Sequence, residues 1–385
     1  MGRLTAAVLA AVLALAAQRA AAQAPPPGAG VAPRTDTLEE QREARLARQR
    51  EAVVAQLAAM EKFGQEERFL AALRAVGDAA PQGDEEAAPF RPVKVGRVPL
   101  GAFSSFVRWQ SPRAGRDRPV AIDLELPNHP FAAIADFDRQ LRGRGLDFLL
   151  VVLPSRLEIY PELACELAAT DGFAGMGAAT QRFLLELNRA GVETLSLTGP
   201  FVAARFGADP ADQLFLRSDP HWTPRGAELA AKVVAEQVAR FPWFERGSIV
   251  EGRDVRIEPR DFGYDPGPAL AKRGAEVEPV SGNTLWTGDK LFDAADESSP
   301  ITVLGDSNVR LHSMTACDFC TQLCRFTGWK IDAIQAYGGA AEQVRRKLAR
   351  REPSEWQGKQ LVVWVVPETL LVPTEWWKLV PLDAK

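Results

Sequence analysis

Residues 301–307, with the sequence ITVLGDS, decide the fold. The first four are apolar or β-branched, and a short run of this kind predicts a strand that is buried in a parallel sheet. Gly305, Asp306 and Ser307 follow at once, which places the Ser307 hydroxyl between this strand and a predicted helix. Backbone N–H groups at a helix start favour an oxyanion, so Ser307 is a candidate nucleophile. The motif equally suits a helix cap formed by Asp306 or Ser307.

The alternation of strands and helices around this stretch predicts the rest of the domain. Further strands are predicted at residues 148–153, 192–197, 331–334 and 361–366, and helices at residues 131–141, 181–189, 224–240 and 342–350. Residues 241–298 are rich in Gly, Pro and charges, and we interpret them as an insertion of loops and short strands. The pattern predicts an α/β fold with a mainly parallel sheet covered on both faces, and a site at the carboxyl ends of the strands.

The first 23 residues have the pattern of a signal peptide. Arg3 precedes an apolar run at residues 4–17, which is shorter than the ~20 residues of a membrane span, and small residues follow at 20–22. An uncleaved N-terminal membrane anchor is the alternative. Either interpretation predicts a periplasmic or secreted protein.

A helical extension is predicted at residues 37–76, between linkers at 24–36 and 77–96, and the catalytic domain is predicted at 97–385. The extension begins with a capping-box pattern and has a thin apolar stripe at Leu46, Val53, Leu57 and Met60. Such a stripe suits a coiled coil or a helix docked on a partner, and it suits a helix lying on the main domain equally well.

The composition is that of a soluble globular protein. Of the 385 residues, 46% are hydrophobic and 25% are charged, and the net charge is −4. No basic stripe with interleaved aromatic residues is present, so no nucleic-acid partner is expected.

Four cysteines bear on the compartment: Cys165 stands alone, and Cys317, Cys320 and Cys324 are clustered. Disulfides are expected in an exported protein, and four cysteines allow three pairings. A metal site formed by the cluster with His312 is the alternative. A helix would place these side chains on more than one face, which disfavours that site.

Asp219-Pro220-His221-Trp222 is the second element that suggests chemistry. Residues i and i+2 of an extended segment point to the same side, so Asp219 and His221 project together. A carboxylate beside an imidazole selects its tautomer and stabilises the imidazolium formed during acyl transfer. The alternative is a turn aspartate with a packed surface histidine.

The scarcity of histidine favours His221 as the general base for Ser307. His129 lies in a Pro-flanked turn without a neighbouring carboxylate, and His312 lies on the helix predicted after Ser307, where it should point away from the sheet edge. We therefore predict a triad of Ser307 as nucleophile, His221 as base and Asp219 as the residue that orients the base.

Other residues are candidates for contacts with the substrate. Gly338 and Gly339 follow a predicted strand and either offer an oxyanion donor or form an ordinary turn. Trp222 either stacks on a sugar or anchors the loop in the core, and we favour the core.

Several motifs carry a family resemblance. Asp219-Pro220-His221-Trp222 upstream of Gly305-Asp306-Ser307 resembles the alginate O-acetyltransferase (AlgX/AlgJ-like) family of SGNH-type proteins. The matching stretches are VVLPSR at 151–156, YPE at 160–162, Gly338-Gly339 and WVVPE at 364–368. The family often has Thr at the position of Asp306 and Lys at that of Arg156, a candidate substrate contact here.

The resemblance implies a three-layer SGNH-like (flavodoxin-like) α/β domain that O-acetylates an exported polysaccharide through an acetyl-serine. It also implies a membrane-bound O-acyltransferase as the partner that donates the acetyl group, and no metal or organic cofactor. A carbohydrate acetylesterase with the same triad and a non-catalytic adaptor of an export complex are the alternatives.

Overall fold

The computed structural model describes residues 37–64, 94–95, 98–99, 128–161, 173–205, 213–217, 221–267, 277–371 and 373–382. The helices are α1 (Leu38–Phe63), α2 (Pro130–Gly143), α3 (Arg156–Ile159), α4 (Ala178–Arg189), α5 (Thr198–Ala204), α6 (Pro224–Val238), α7 (Phe319–Thr327) and α8 (Gln343–Ala349). The strands are β1 (Lys94–Val95), β2 (Val98–Pro99), β3 (Asp147–Leu153), β4 (Thr194–Ser196), β5 (Arg256–Tyr264), β6 (Glu278–Thr287), β7 (Lys290–Leu291), β8 (Ile301–Gly305), β9 (Asp332–Gln335) and β10 (Leu361–Pro367). The predicted signal peptide at 1–23, the linker at 24–36 and most of the linker at 77–96 lie outside the described residues.

A parallel sheet of five strands forms the centre of the domain, in the order β4-β3-β10-β8-β9. The last strand of the chain therefore lies in the middle of the sheet. Trp364 of β10 pairs with Leu150 of β3 on one side and with Leu304 of β8 on the other. Because all five strands run in the same direction, their carboxyl ends meet at one edge, and the predicted parallel α/β fold is confirmed.

The side chains of β3 show how the two faces of the sheet are covered. Leu149, Val151 and Leu153 belong to one hydrophobic cluster, whereas Phe148, Leu150 and Val152 belong to the other. Successive side chains of a strand point to opposite faces, so this continuous apolar run contributes side chains to the hydrophobic cores on both faces of the sheet. Helices α6 and α7 contribute to the first cluster, and α2, α4 and α8 contribute to the second. The result is the predicted three-layer arrangement.

The insertion at residues 241–298 contains a longer sheet than expected. β5 has nine residues and β6 has ten, and the two pair in antiparallel register from Arg256–Trp286 to Tyr264–Glu278. The prediction of short strands was wrong here. β5 carries a proline, a glycine and four charged residues, so its local pattern is weak, and pairing with β6 provides its order.

Helix α1 lies on the main domain rather than standing free of it. Arg45 donates through Nε and Nη2 to both carboxylate oxygens of Glu193, at 3.0 and 2.9 Å, and all of these groups are buried. Gln49 accepts a hydrogen bond of 2.9 Å from the backbone N–H of Thr194 on the edge strand β4. The helix thus covers an edge of the sheet that would otherwise be open to another chain.

The helical extension predicted at residues 37–76 is described only in its first part. The helix ends at Phe63, and Gly64 follows with a φ of 67°, a conformation that commonly ends a helix. Residues 65–76 lie outside the described residues. None of the helices in the described part of the chain combines the length and apolar composition that a membrane span needs.

The clustered cysteines do not form the expected disulfides. Cys317, Cys320 and Cys324 are buried free thiols, and Cys165 lies outside the described residues. Two of them lie on α7, where side chains one turn apart pack into the core instead of facing each other as a bridge requires. The described residues also form no His, Cys, Asp or Glu group suited to a metal ion.

A buried ion cluster joins β9 to the segments that follow it. Asp332 accepts hydrogen bonds from Arg351, at 2.5 and 2.6 Å, from Lys359 at 2.7 Å and from Thr302 at 2.8 Å. Burial by itself raises the pKa of Asp332, but the bonds from Arg351 and Lys359 outweigh it and hold the pKa below its usual 3.8. The stability that this carboxylate contributes is present above its unfolded pKa and lost as pH falls through the folded pKa.

Asp332→Asn is therefore expected to lower the free energy of unfolding by about 3 kcal/mol at neutral pH, because two buried cations lose their counter-charge. The deficit relative to wild type should shrink as pH falls through the range where Asp332 is protonated. Urea unfolding across pH checks both points. Asp289→Asn, at an exposed turn, is the matched control and should stay within about 0.5 kcal/mol. A deficit independent of pH would contradict the assignment.

Candidate active site

Ser307 lies two residues beyond Gly305, the last residue of β8. Asp306 is the cap residue of a 3₁₀ turn at Ser307–Val309, and its carboxylate accepts from the backbone N–H and the side-chain amide of Asn308, each at 2.9 Å. The capping alternative is therefore correct for Asp306 and leaves the hydroxyl of Ser307 available. Gly305 is required here, since a Cβ would lie 2.4 Å from Val309.

The α-helix predicted directly after Ser307 is absent. The chain makes 3₁₀ turns at Ser307–Val309 and Ser313–Thr315, and α7 begins only at Phe319. His312 and Ala316 have φ values of 70° and 50°, which no α-helix accommodates. The segment from Ser307 to Ala316 is called the nucleophile loop below.

His221 lies against Ser307, as expected. Its Nε2 is 2.5 Å from the Ser307 Oγ, although 86 residues separate the two in sequence. Backbone pairing on both sides of Trp222 holds His221 in place, because the His221 carbonyl accepts from Leu216 N at 2.9 Å and Thr223 N donates to Leu214 O at 3.0 Å. An imidazole in this position can accept the hydroxyl proton and make Ser307 a nucleophile.

Asp219 lies outside the described residues, but the segment before it is well anchored. Arg156 donates to the carbonyls of Leu216 and Arg217, at 2.9 and 2.6 Å. Arg156 is only 5% exposed and binds the backbone in front of the Asp-x-His motif, and a contact between Arg156 and substrate stays a prediction. Burial lowers the pKa of Arg156 to about 10, and the guanidinium still carries its charge at neutral pH while it holds this segment.

Trp222 is a core residue, as the sequence analysis favoured. Its side chain is fully buried, and its ring stacks on Phe319 with centroids 5.6 Å apart. The indole N–H donates to the carbonyl of Asn308 at 2.9 Å. The substrate-binding alternative for Trp222 was wrong, because no face of the ring is open to a sugar.

The two glycines after β9 differ in what they offer. The N–H of Gly339 donates to Ala336 O at 3.0 Å, so in this structure the group serves the turn, and an oxyanion donor at these glycines stays a prediction. Gly338 is exposed and has a φ of 61°, which explains the glycine. Ala336 N donates to Gly305 O at 3.1 Å, so this turn starts beside the end of β8.

Comparison with known proteins matches the sequence of this chain to a family. The model of the family described as "SGNH hydrolase-like domain, acetyltransferase AlgX" covers residues 122–368, more than half of the chain. The chain belongs to this AlgX family. The matched range contains the five strands of the central sheet, His221 and Ser307.

Individual relatives agree with the AlgX family assignment. "Probable alginate O-acetylase AlgJ" of Pseudomonas fluorescens is 30% identical over 46% of this chain and 45% of its own length. "Alginate biosynthesis protein AlgX" of Pseudomonas putida is 35% identical over 58% of this chain and 47% of its own length. The chain thus spans about half the length of these two relatives.

One solved structure shows the same fold. It is the O-acetyltransferase domain of Pseudomonas putida AlgJ, with a TM-score of 0.51 at 21% identity, over 66% of this chain and 86% of that one. This likeness supports the SGNH-like architecture of the AlgX family domain.

Two residues near this AlgX family site differ from the sequence-based expectation. Asp306 caps the turn while nearly fully buried; burial raises the pKa of its carboxyl, and the hydrogen bonds from Asn308 and the neighbouring His221 oppose that rise. His312 does not point away on a helix, since its Nε2 lies 3.2 Å from the carbonyl oxygen of Trp222. The positive φ that turns His312 inward has no signal in the sequence pattern.

Proposed function

We propose that this chain is an O-acetyltransferase that modifies an exported polysaccharide through an acetyl-Ser307 intermediate. The observation that carries the proposal is the distance of 2.5 Å between the His221 Nε2 and the Ser307 Oγ. The pair lies at the carboxyl edge of a parallel sheet, where folds of this class hold their active sites.

The reaction has two halves. The Ser307 oxygen attacks the carbonyl carbon of the acetyl donor while the His221 Nε2 accepts the hydroxyl proton. The tetrahedral oxyanion collapses, the leaving group takes the proton from the imidazolium, and acetyl-Ser307 remains. A sugar hydroxyl then attacks this ester as His221 takes its proton, and the collapse of the second intermediate returns the proton to Ser307.

Further groups have supporting roles in the proposal. Asp219 is proposed to bind the second ring nitrogen of His221 and so to select the productive tautomer. The backbone N–H groups of Ser307 and Gly338 are the proposed oxyanion donors. The names of the relatives suggest alginate as the acceptor, and the family resemblance suggests a membrane-bound O-acyltransferase as the source of acetyl groups outside the cytoplasm.

The insertion supports an acidic acceptor. Arg256 and Arg260 on β5 are exposed, and each guanidinium lies 5.6 Å from the ring centroid of Trp286 on β6. At the other end of β5, Phe262 and Tyr264 pack on His312 of the nucleophile loop. Arg256 also pairs with Glu258 at 2.6 Å, so Arg260 beside Trp286 is the guanidinium that we propose binds a carboxylate of a uronate polymer.

We expect incubation with an activated acetyl ester to leave one acetyl group on the protein, located at Ser307 by peptide mass spectrometry. Adding uronate oligosaccharides should speed its release and place acetyl on the sugar. Positioned acceptors reach effective molarities of about 10⁵ M or more, against about 55 M for water. Neutral oligosaccharides are the matched control for the charge of the acceptor.

The same experiment separates the alternatives. Rapid deacetylation of an acetylated polysaccharide, with no acetylated acceptor, would favour the esterase. A wild-type protein that never carries acetyl and transfers none would favour the non-catalytic adaptor.

A further inference from the structure

We propose that His312 is a positioning residue that holds the general base His221 against Ser307. The inference rests on the proposed function, because it assigns His221 the role of base. In this proposal His312 acts through Trp222, whose carbonyl oxygen it binds.

The backbone fixes the direction of the His312 ring. Its φ is 70°, and its carbonyl accepts hydrogen bonds from Thr315 N at 3.1 Å, Thr315 Oγ1 at 2.9 Å and Cys317 N at 3.2 Å. Histidine tolerates this left-handed conformation better than most residues other than glycine. The three hydrogen bonds hold His312 in this left-handed conformation, which places its ring on one side of the nucleophile loop.

The ring faces the segment that carries the base. The His312 Nε2 is 3.2 Å from the Trp222 carbonyl oxygen. A carbonyl only accepts, so Nε2 carries the hydrogen and His312 donates. The rings of Phe262 and Tyr264 pack against the imidazole in edge arrangements, with centroids 6.2 and 5.9 Å away. Packing and hydrogen bond together give the imidazole one orientation.

Two hydrogen bonds of opposite direction then join the nucleophile loop to Trp222. His312 donates to the Trp222 carbonyl, and the Trp222 indole donates to the carbonyl of Asn308, the residue after Ser307. His221 directly precedes Trp222 in the chain, so bonds that hold Trp222 also hold the backbone that carries the His221 ring against Ser307. The bond from His312 and the bond to Asn308 fix the base relative to the nucleophile.

The test compares His312→Ala, His312→Gln and His312→Asn by the rate of Ser307 acetylation from an activated ester. A misplacement of about 1 Å costs about 10²-fold in rate, so the alanine variant should lose about that much in kcat with KM nearly unchanged. Gln places an amide N–H near the Nε2 position and should retain most of the rate. Asn tolerates the backbone conformation but is too short, and should behave as Ala does.

Thermal unfolding of each variant provides the control. An alanine variant as fast as wild type would overturn the proposal. Gln and Asn variants that lose equal amounts of activity, each in proportion to its loss of melting temperature, would overturn it as well. If the alanine variant does not fold, the difference between Gln and Asn decides. If the wild-type protein itself is never acetylated, the proposed function is wrong. If wild type is acetylated and the His312→Ala variant is just as fast, only the assignment of His312 is wrong.

Discussion

Ser307→Ala is expected to lower acetyl transfer by at least about 10³-fold while leaving the melting temperature nearly unchanged. The substitution removes the proposed nucleophile and its contact with His221, and the proposed acetyl-serine cannot form without the hydroxyl. The side chain is only half-buried at a loop, so its loss creates no core cavity. Stopped assays with an activated acetyl ester, together with thermal unfolding, measure both effects.

Ser313→Ala is the matched control for this substitution. Ser313 lies six residues further along the nucleophile loop and is also half-buried, so it reports any general effect of losing a hydroxyl there. Its variant should keep the wild-type rate. Full activity in Ser307→Ala would place the nucleophile elsewhere and end the acetyl-Ser307 proposal.

Asp219→Asn is expected to lower the rate by about 10⁴-fold, the effect of replacing an orienting carboxylate by an amide. The amide can bind the imidazole in the wrong tautomer, which leaves the ring unable to accept the proton from Ser307. The measurement is the rate of Ser307 acetylation across pH. Binding of the ester should change little, because the substitution does not touch the nucleophile.

Asp306→Asn is the informative comparison, because Asp306 is a buried carboxyl group whose pKa is influenced by the neighbouring His221. Its bonds go to Asn308, so its variant should lose far less activity than Asp219→Asn. The reverse order of effects would assign the orienting role to Asp306. The two variants together test whether Asp219 or Asp306 orients the His221 ring.

The substrate contacts expected from local resemblance changed most once the fold was known. Arg156 and Trp222 are both buried, one against the carbonyls of residues 216 and 217 and the other against Phe319 and Asn308. Each maintains the segment around His221. A motif can therefore be correctly aligned with a family and still serve as support for the site.

The sequence by itself determined the parallel sheet and the pairing of Ser307 with His221. Continuous apolar runs such as residues 148–153 and 361–366 indicate strands that are buried on both faces. A strand covered on one face only would show alternating apolar and polar residues. The short Gly-Asp-Ser and Asp-x-His motifs lie at strand ends or beside helix caps, so local chemistry was enough to bring them to one edge.

Only the tertiary structure decided which side chains surround that pair. The contacts that orient His312, bury Arg156 and dock α1 through Arg45 and Glu193 join residues 60 to 148 positions apart. Hydrogen bonds between such distant groups leave no periodic trace in the chain. The positive φ angles in the nucleophile loop are likewise held by bonds across that loop, so the α-helix that a local pattern predicts after Ser307 gives way to two turns.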